Sequence, residues 1–461
     1  MRLAIVGAGA AGAFAALAVR DRIPDAEVFL FDRADNVPRG VAYSFPQPWL
    51  RLNIPASKMG GVLERDPTSF AEWVERRHGL APSEYVARYV YGDYLSEALE
   101  ALAGCAVFHF ERHEITAICP LHDGGGYQVF AGNTPIEVDG VILCTGHLPP
   151  SRFLEADPRV VQDVWAPRAM EGIDPNEKVI LIGTGATAVD VVLTLRQTGH
   201  RGLITMISPH GLLPQVDAPV VPYPDFYDPK NSHSPLTLLR LIRSEIDRAK
   251  DAGVAWQNVV NSLRRHTTEI WQGWSRPQRK QFLRHAAQRW LIHRHRLPPD
   301  VAETLGGMIC SKALEVRRAR YKSLKATSAG LEVQLVGRVA GLIVVDRVLN
   351  CTGPSFTFAQ ACAPLYKQLF RDGLARQDEL GLGLAVDDES QMLSQEGQPQ
   401  RGFYVLGSAT RGQFWETIAV PDIRLRASMI ANHIQQWNAR TSQVVQSKAI
   451  HRGGRDPIKD T

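Results

Sequence analysis

The first dozen residues leave this 461-residue chain few folds to choose from. Four apolar residues, Leu3 to Val6, run directly into Gly7-Ala8-Gly9-Ala10-Ala11-Gly12. An alanine-rich stretch, Ala13 to Arg20, comes next, then a second apolar run, Val28 to Phe31, that ends on Asp32 and Arg33. Short, fully apolar runs are the pattern of parallel strands buried on both faces. The glycines have separate tasks: Gly7 permits a tight turn, Gly9 lets backbone approach a pyrophosphate, and Gly12 lets helix and strand pack closely. The helix start offers free N–H groups and a partial positive charge. Asp32 stands where an acid accepts hydrogen bonds from ribose hydroxyls. Strand, turn, helix and acid in this order predict a dinucleotide site. The residues expected around it are Gly7, Gly9, Ala10, Ala11, Gly12, Asp32 and Arg33.

The pattern returns. Val179 to Ile182 is apolar and leads into Gly183-Thr184-Gly185-Ala186-Thr187-Ala188, a helical stretch to Arg196, and a strand from Leu203 to Ile207. Ser208, Pro209 and His210 stand where an acid would favour NAD by binding its 2′-hydroxyl. The missing acid leans this second site towards NADP, with NAD still open, since no arginine stands at that spot. Two dinucleotide folds imply two dinucleotides: FAD at the first, a nicotinamide at the second, held by Gly183, Gly185, Ala186, Thr187, Ala188 and Ser208.

Two near-copies, Val141 to Gly146 and Val348 to Gly353, flank the second unit, each a strand ending in Cys-Thr-Gly. They read as the places where the chain leaves the first domain and returns, with Pro149, Pro150 and Pro354 in the linkers. Cys144 and Cys351 read as small buried strand residues. A further strand, Phe403 to Leu406, ends in Gly407-Ser408 before a helix from about Ile423 to Trp437. Gly146 and Gly407 are therefore expected to complete the FAD site. From Ser234 to Leu305 the pattern is helical and punctuated by tryptophans. The expected class is α/β: two Rossmann-like dinucleotide-binding domains, the second inserted in the first, with a helical insertion. The boundaries are 1–165 and 348–438 for the FAD domain, 166–347 for the NAD(P) domain with its insertion at 234–305, and 439–461 for a flexible tail.

Composition narrows the partners. A net charge of +4, from 52 basic and 48 acidic residues, is too balanced for nucleic acid or membrane as the main partner. No window approaches the ~18 apolar residues of a membrane span, and the glycines of the opening stretch argue against a signal peptide. Six cysteines lie far apart, with no CxxC pair. That fits a reduced, cytoplasmic protein and excludes flavoenzymes that exchange disulfides through a close cysteine pair. No metal site is expected.

Further motifs carry a resemblance. They are Gly40-Val41-Ala42-Tyr43-Ser44 with Leu52-Asn53-Ile54-Pro55-Ala56 and Met59, then Arg88 with Tyr91-Gly92-Asp93-Tyr94-Leu95. The second glycine turn continues to Asp190 and Gly211-Leu212-Leu213-Pro214, followed by His293-Arg294-His295-Arg296. Last come Arg411-Gly412, Trp415-Glu416-Thr417 and Ala419-Val420-Pro421-Asp422-Ile423-Arg424. On these the chain resembles bacterial FAD-NAD(P)-binding proteins distantly similar to N-hydroxylating and other class B flavin monooxygenases. N-hydroxylases carry a polar residue and a lysine near the flavin, before a Pro-x-Ser-x-Phe-like segment. Asn53, Lys58 and Asp66-Pro67-Thr68-Ser69-Phe70 look similar in order, which implies that Lys58 faces a substrate carboxylate. The FxGxxxHxxx fingerprint of other class B enzymes has no counterpart, because Phe153 to Trp165 lacks the histidine. The resemblance implies a monooxygenase that N-hydroxylates a small amine or amino-acid-like molecule through a C4a-hydroperoxyflavin. An NAD(P)H-dependent reductase without oxygen chemistry, and an FAD-holding sensor without turnover, are the alternatives. Asn53, Lys58, Trp415 and Glu416 are the candidate catalytic residues; the oligomeric state is left open.

Overall fold

The computed structural model describes residues 1–34, 37–122, 124–132, 134–230 and 234–453, the side chains of 134 and 441–453 excepted. Strand Arg2–Val6 sits inside a six-stranded sheet, between Glu27–Phe31 and Gly140–Leu143. Phe108–Glu111 lies beyond the first neighbour, and Pro399–Val405 and then Gln391–Leu393 beyond the second. All pairings are parallel except that of the edge strand Gln391–Leu393. Leu3, Ala4 and Ile5 are fully buried, as a central parallel strand requires. Helix Ala10–Arg22 packs on one face through Phe14 and Val19, beside Ile430 and Ile434 of the last helix. An antiparallel meander, Ile115–Pro120, Tyr127–Ala131 and Thr134–Val138, covers the other face with helix Pro364–Arg371.

The second sheet repeats the plan. Its order is Leu314–Arg318, Ile204–Ser208, Val179–Ile182, Arg347–Asn350, Val160–Val161, all parallel. Helix Ala186–Gln197 covers one face; a three-stranded meander, Arg320–Thr327, Gly330–Val336 and Gly341–Val345, covers the other. The mixed α/β class with two Rossmann-like sheets is thus the observed one.

Between Ile204–Ser208 and Leu314–Arg318 the described residues form six α-helices, from Pro235–Asp251 to Pro299–Cys310. Local chemistry sets their starts. Ser234 accepts from Thr237 N–H at 3.2 Å. Ser275 and Gln278 form a capping box that spans Pro277. The helices share a core with Trp415, Leu380 and Leu382 of the C-terminal part, so this block spans from the second domain back to the first. The last helix, Val420–Gly453, continues past Asn438, where the flexible tail was expected to begin; 454–461 lie outside the described residues.

Candidate functional site

Each glycine turn is held by the neighbouring strand. Gly7 has φ +101°, and a Cβ there would lie 2.4 Å from the Cys144 carbonyl oxygen. Gly183 repeats this at φ +134°, 2.3 Å from the Cys351 carbonyl oxygen. The two Cys-Thr-Gly strands therefore form the backs of the two turns. Burial pushes both cysteine thiols far above their usual range, which leaves them neutral and inert. In the first turn a Cβ on Gly12 would meet the Gly7 oxygen at 1.9 Å, so strand and helix could not close. In the second, Ala188 takes this place and is fully buried.

The middle glycines differ. A Cβ on Gly9 would find only the Gly40 Cα, at 3.6 Å, and one on Gly185 would meet nothing within 4 Å. No protein atom requires glycine at Gly185, so the bare backbone there suits a ligand's close approach. Asp32 Oδ2 accepts from Ala8 N–H at 2.7 Å and Oδ1 from Ala34 N–H at 2.9 Å. Each oxygen keeps a lone pair for a ribose hydroxyl. Arg33 instead reaches an exposed pair with Glu114 at 3.6 Å.

Two turns distant in the sequence meet beside the first helix. Ser408 Oγ donates to the Gly146 carbonyl at 2.6 Å, and a Cβ on Gly407 would come 3.6 Å from the Ala11 Cβ. Gly146, Gly407 and Ala11 thus share one rim. In the second domain Ser208 Oγ accepts from Gly211 N–H at 3.0 Å and lies 2.9 Å from Thr184 Oγ1.

A cavity lined by Gly407, Thr410, Glu416, Thr417, Ile423 and Thr268 opens beside this rim. Glu416 is buried. Trp290 Nε1 donates to its Oε1 at 3.3 Å, and Arg294 Nε lies 3.7 Å away. Burial raises its pKa, but Arg294 and its neighbours outweigh this and hold it below the usual range, as a carboxylate. Burial drives His295 down to about 4, so it is neutral. Arg296 pairs with Asp217 at 3.0 Å, and Tyr85 donates to Asp217 at 2.8 Å. Arg264 meets Asp422 at 3.0 Å. In His293-Arg294-His295-Arg296 the two arginines are thus buried members of an interior ionic seam, while His293 is half-buried and meets Trp256 edge-on.

Trp415 stands apart from its neighbour Glu416. Its ring is buried, stacks on Trp271 at 4.9 Å, and carries the Arg411 guanidinium 4.4 Å above it. Asn53 is half-buried and Lys58 exposed, on the segment leading into the short helix Ala56–Met59. Arg424 of the last helix holds this segment, donating to the Met59 and Gly61 carbonyls at 3.0 and 2.7 Å. Sequence reasoning had no role for Arg424, nor for Arg88, whose guanidinium forks onto buried Asp190 at 2.8 and 3.0 Å. Both stood in the motifs, but nothing local names their partners. Among the described residues, no group of three or more metal-ligating side chains is present, and no helix is long and apolar enough to cross a membrane.

Residues 4–148 match the family described as FAD-NAD(P)-binding, so they form a domain of that kind. No curated protein sequence matches the chain. Among solved structures, the reduced ornithine hydroxylase of Pseudomonas aeruginosa is similar, with TM-score 0.66 and 17% identity over 94% of this chain and 98% of that one. The ornithine N-hydroxylase of Kutzneria sp. 744 gives TM-score 0.65 and 15% identity over 95% and 99%. The bacillithiol disulfide reductase of Staphylococcus aureus gives 0.57 and 12% over 94% and 98%. At these identities the shared property is the two-domain flavoprotein fold.

Proposed function

We propose that this chain is an FAD-dependent, NAD(P)H-consuming oxidoreductase, and that it acts as a monooxygenase on the nitrogen of a small amine or amino-acid-like substrate. The observation that carries the reading is the pair of glycine turns in one chain, each backed by a Cys-Thr-Gly strand and each open at its middle glycine. FAD would be held by the first turn, by Asp32, and by the rim of Gly146, Gly407 and Ala11; the nicotinamide would be held by the second turn. Bound FAD would supply hydride acceptance and oxygen activation. The protein's own part is position, dryness and charge. The Trp271–Trp415 stack and Phe282 close the helical block over the turn after Gly407 and keep water from that side. Arg294 and Trp290 fix Glu416 as a carboxylate in the cavity wall, where it would attract a cationic amine. Lys58 is exposed, and in this reading its ammonium would meet a substrate carboxylate.

The end-to-end likeness to two ornithine hydroxylases supports oxygen chemistry. The likeness to a disulfide reductase supports a second reading, an NAD(P)H-dependent reductase that does not use oxygen. Against a dithiol version of it, the six cysteines stand at 105, 119, 144, 310, 351 and 362, with no CxxC pair among them. Anaerobic reduction of the flavin by NADPH or NADH, followed by air and a panel of amines and amino acids, separates the two. The proposal expects bleaching and then a hydroxylated product coupled to NAD(P)H consumed. Bleaching with peroxide release and no oxygenated product in any panel member would favour the reductase.

A further inference from the structure

Three loops meet where strands of both sheets end. His147 follows Gly146 and Arg411 follows Gly407, beyond the ends of Gly140–Leu143 and Pro399–Val405 in the first sheet. Phe356 follows Gly353, beyond the end of Arg347–Asn350 in the second. In open α/β sheets the carboxyl ends of the strands are where ligands bind. The Arg411 guanidinium lies over two rings, 4.8 Å from the centre of Phe356 and 4.4 Å from that of Trp415. Ring faces hold a cation without using its N–H groups. Among the described residues none of those groups has a hydrogen-bond acceptor, and Nε is buried as well. Burial is the main influence on the Arg411 pKa, and lowers it; the charge of Glu416 raises it. Glu416 nevertheless makes its ion pair with Arg294. A guanidinium stripped of water and left without an anion is unfavourable. The backbone is strained at the same place. Trp415 has φ +63° and ψ −61°, and Glu416 N–H donates to the Phe414 carbonyl at 2.7 Å across it, a turn rarely adopted. Thr410 and Phe414, on either side of Arg411 in the chain, line the cavity that holds Glu416. The protein around His147 lowers its pKa and the Arg411 charge lowers it further, so a neutral imidazole stands near the guanidinium.

We propose that Arg411, with His147 beside it, binds a carboxylate of the substrate, so that this chain selects amines that bear an acid over simple amines. The proposal rests on the monooxygenase reading above. A planar fork of N–H donors matches the two oxygens of a carboxylate. Lys58 is the rival partner, but an exposed ammonium gains little from an ion pair, whereas a desolvated guanidinium gains more.

Calorimetric titration of the FAD-saturated full chain with a panel of amino acids, and with the primary amide of each, tests this. At least one amino acid is expected to bind, and its amide to bind about tenfold more weakly or worse. Arg411→Gln should bring acid and amide to about equal affinity. Arg411→Lys, which keeps the charge and loses the fork, should keep part of the preference, and it carries the test should Arg411→Gln fail to fold. The acid-to-amide ratio reads the carboxylate alone, so a merely structural role for Arg411 would not move it. A full preference retained by both Arg411 variants, or a preference lost in Lys58→Ala and kept in Arg411→Gln, would overturn the proposal. So would a wild type that binds no amino acid of the panel, or binds acid and amide alike. A raised NAD(P)H requirement for flavin bleaching in Arg411→Gln, with the ratio unchanged, would give the guanidinium to a dinucleotide phosphate instead. An acid preference that depends on Arg411, with no hydroxylated product in air, would keep the site and end the monooxygenase reading.

Discussion

Gly7 and Gly185 are both turn glycines, yet they are glycine for different reasons. At Gly7 the protein itself leaves no room, with the Cys144 carbonyl 2.4 Å from a Cβ and a positive φ. At Gly185 the φ is an ordinary −84° and nothing lies within 4 Å. Gly7→Ala is therefore expected to cost at least about 1–3 kcal/mol from backbone strain alone, read as a fall in thermal melting temperature. Gly185→Ala should melt within about 0.5 kcal/mol of wild type but require about tenfold more NAD(P)H for half-maximal flavin reduction, roughly 1.4 kcal/mol of binding. Similar effects of the two changes on stability would undo this distinction.

A pH dependence also belongs to single residues. His295 titrates near 4 in the fold against 6.5 ordinarily, chiefly because it is buried. The unfolded chain therefore binds a proton here that the folded chain refuses. Stability from this group is full above pH 6.5 and is lost progressively as pH falls towards 4. Glu416, with its pKa lowered, adds a loss in the same direction below the usual carboxylate range. Denaturant unfolding between pH 7 and 4 should show the decline, and His295→Gln should flatten its upper part.

Among the elements, the helical block has the clearest mechanical task. Its leucines and tryptophans announce helices from Ser234 onward, and Ser234 and Ser275 mark two of the starts. What the pattern does not reveal is where the apolar face docks. Trp271 is buried, donates to the Gly412 carbonyl at 2.8 Å and stacks on Trp415, so the block is pinned to the turn after Gly407. Trp271→Ala should cost about 3–5 kcal/mol, seen in the denaturant midpoint. On the proposed function it should also raise peroxide release per NAD(P)H consumed, because water gains access to the cavity. A stability loss with fully coupled turnover would show that the stack is structural only. The last helix works similarly at smaller scale: Arg424 fastens the Asn53–Gly61 segment to it.

For the molecule as a whole, the relation between the two sheets matters most. Arg88, on helix Arg88–Glu100 of the first domain, meets Asp190 on the second domain's glycine-turn helix. Burial raises the Asp190 pKa and Arg88 lowers it, with burial the larger effect. Arg88→Ala would leave that carboxylate buried without its cation, expected to cost about 3 kcal/mol, while Arg88→Leu with Asp190→Asn should recover most of it. A double variant no better than the single one would show that the pair holds no charge that needs compensation.

The sequence alone determined the two strand-turn-helix units, their order, the crossing strands and the change to helix after Ser234. Those features depend on neighbours in the chain: periodicity, glycine spacing, and an acid at the end of a strand. Asp32 was legible as a ribose partner because it ends the strand next after its own turn. The neighbours of the corresponding strand end in the other domain were not, because Ser208 and Arg318 meet only through sheet register, with the whole helical block between them. The same is true of Glu416 with Arg294 and of Arg88 with Asp190. A long-range charge pair leaves no periodic trace in either segment, since each residue alone is an ordinary polar position. Only packing decides which of them are buried together, and burial is what turns such a charge into an obligatory partner.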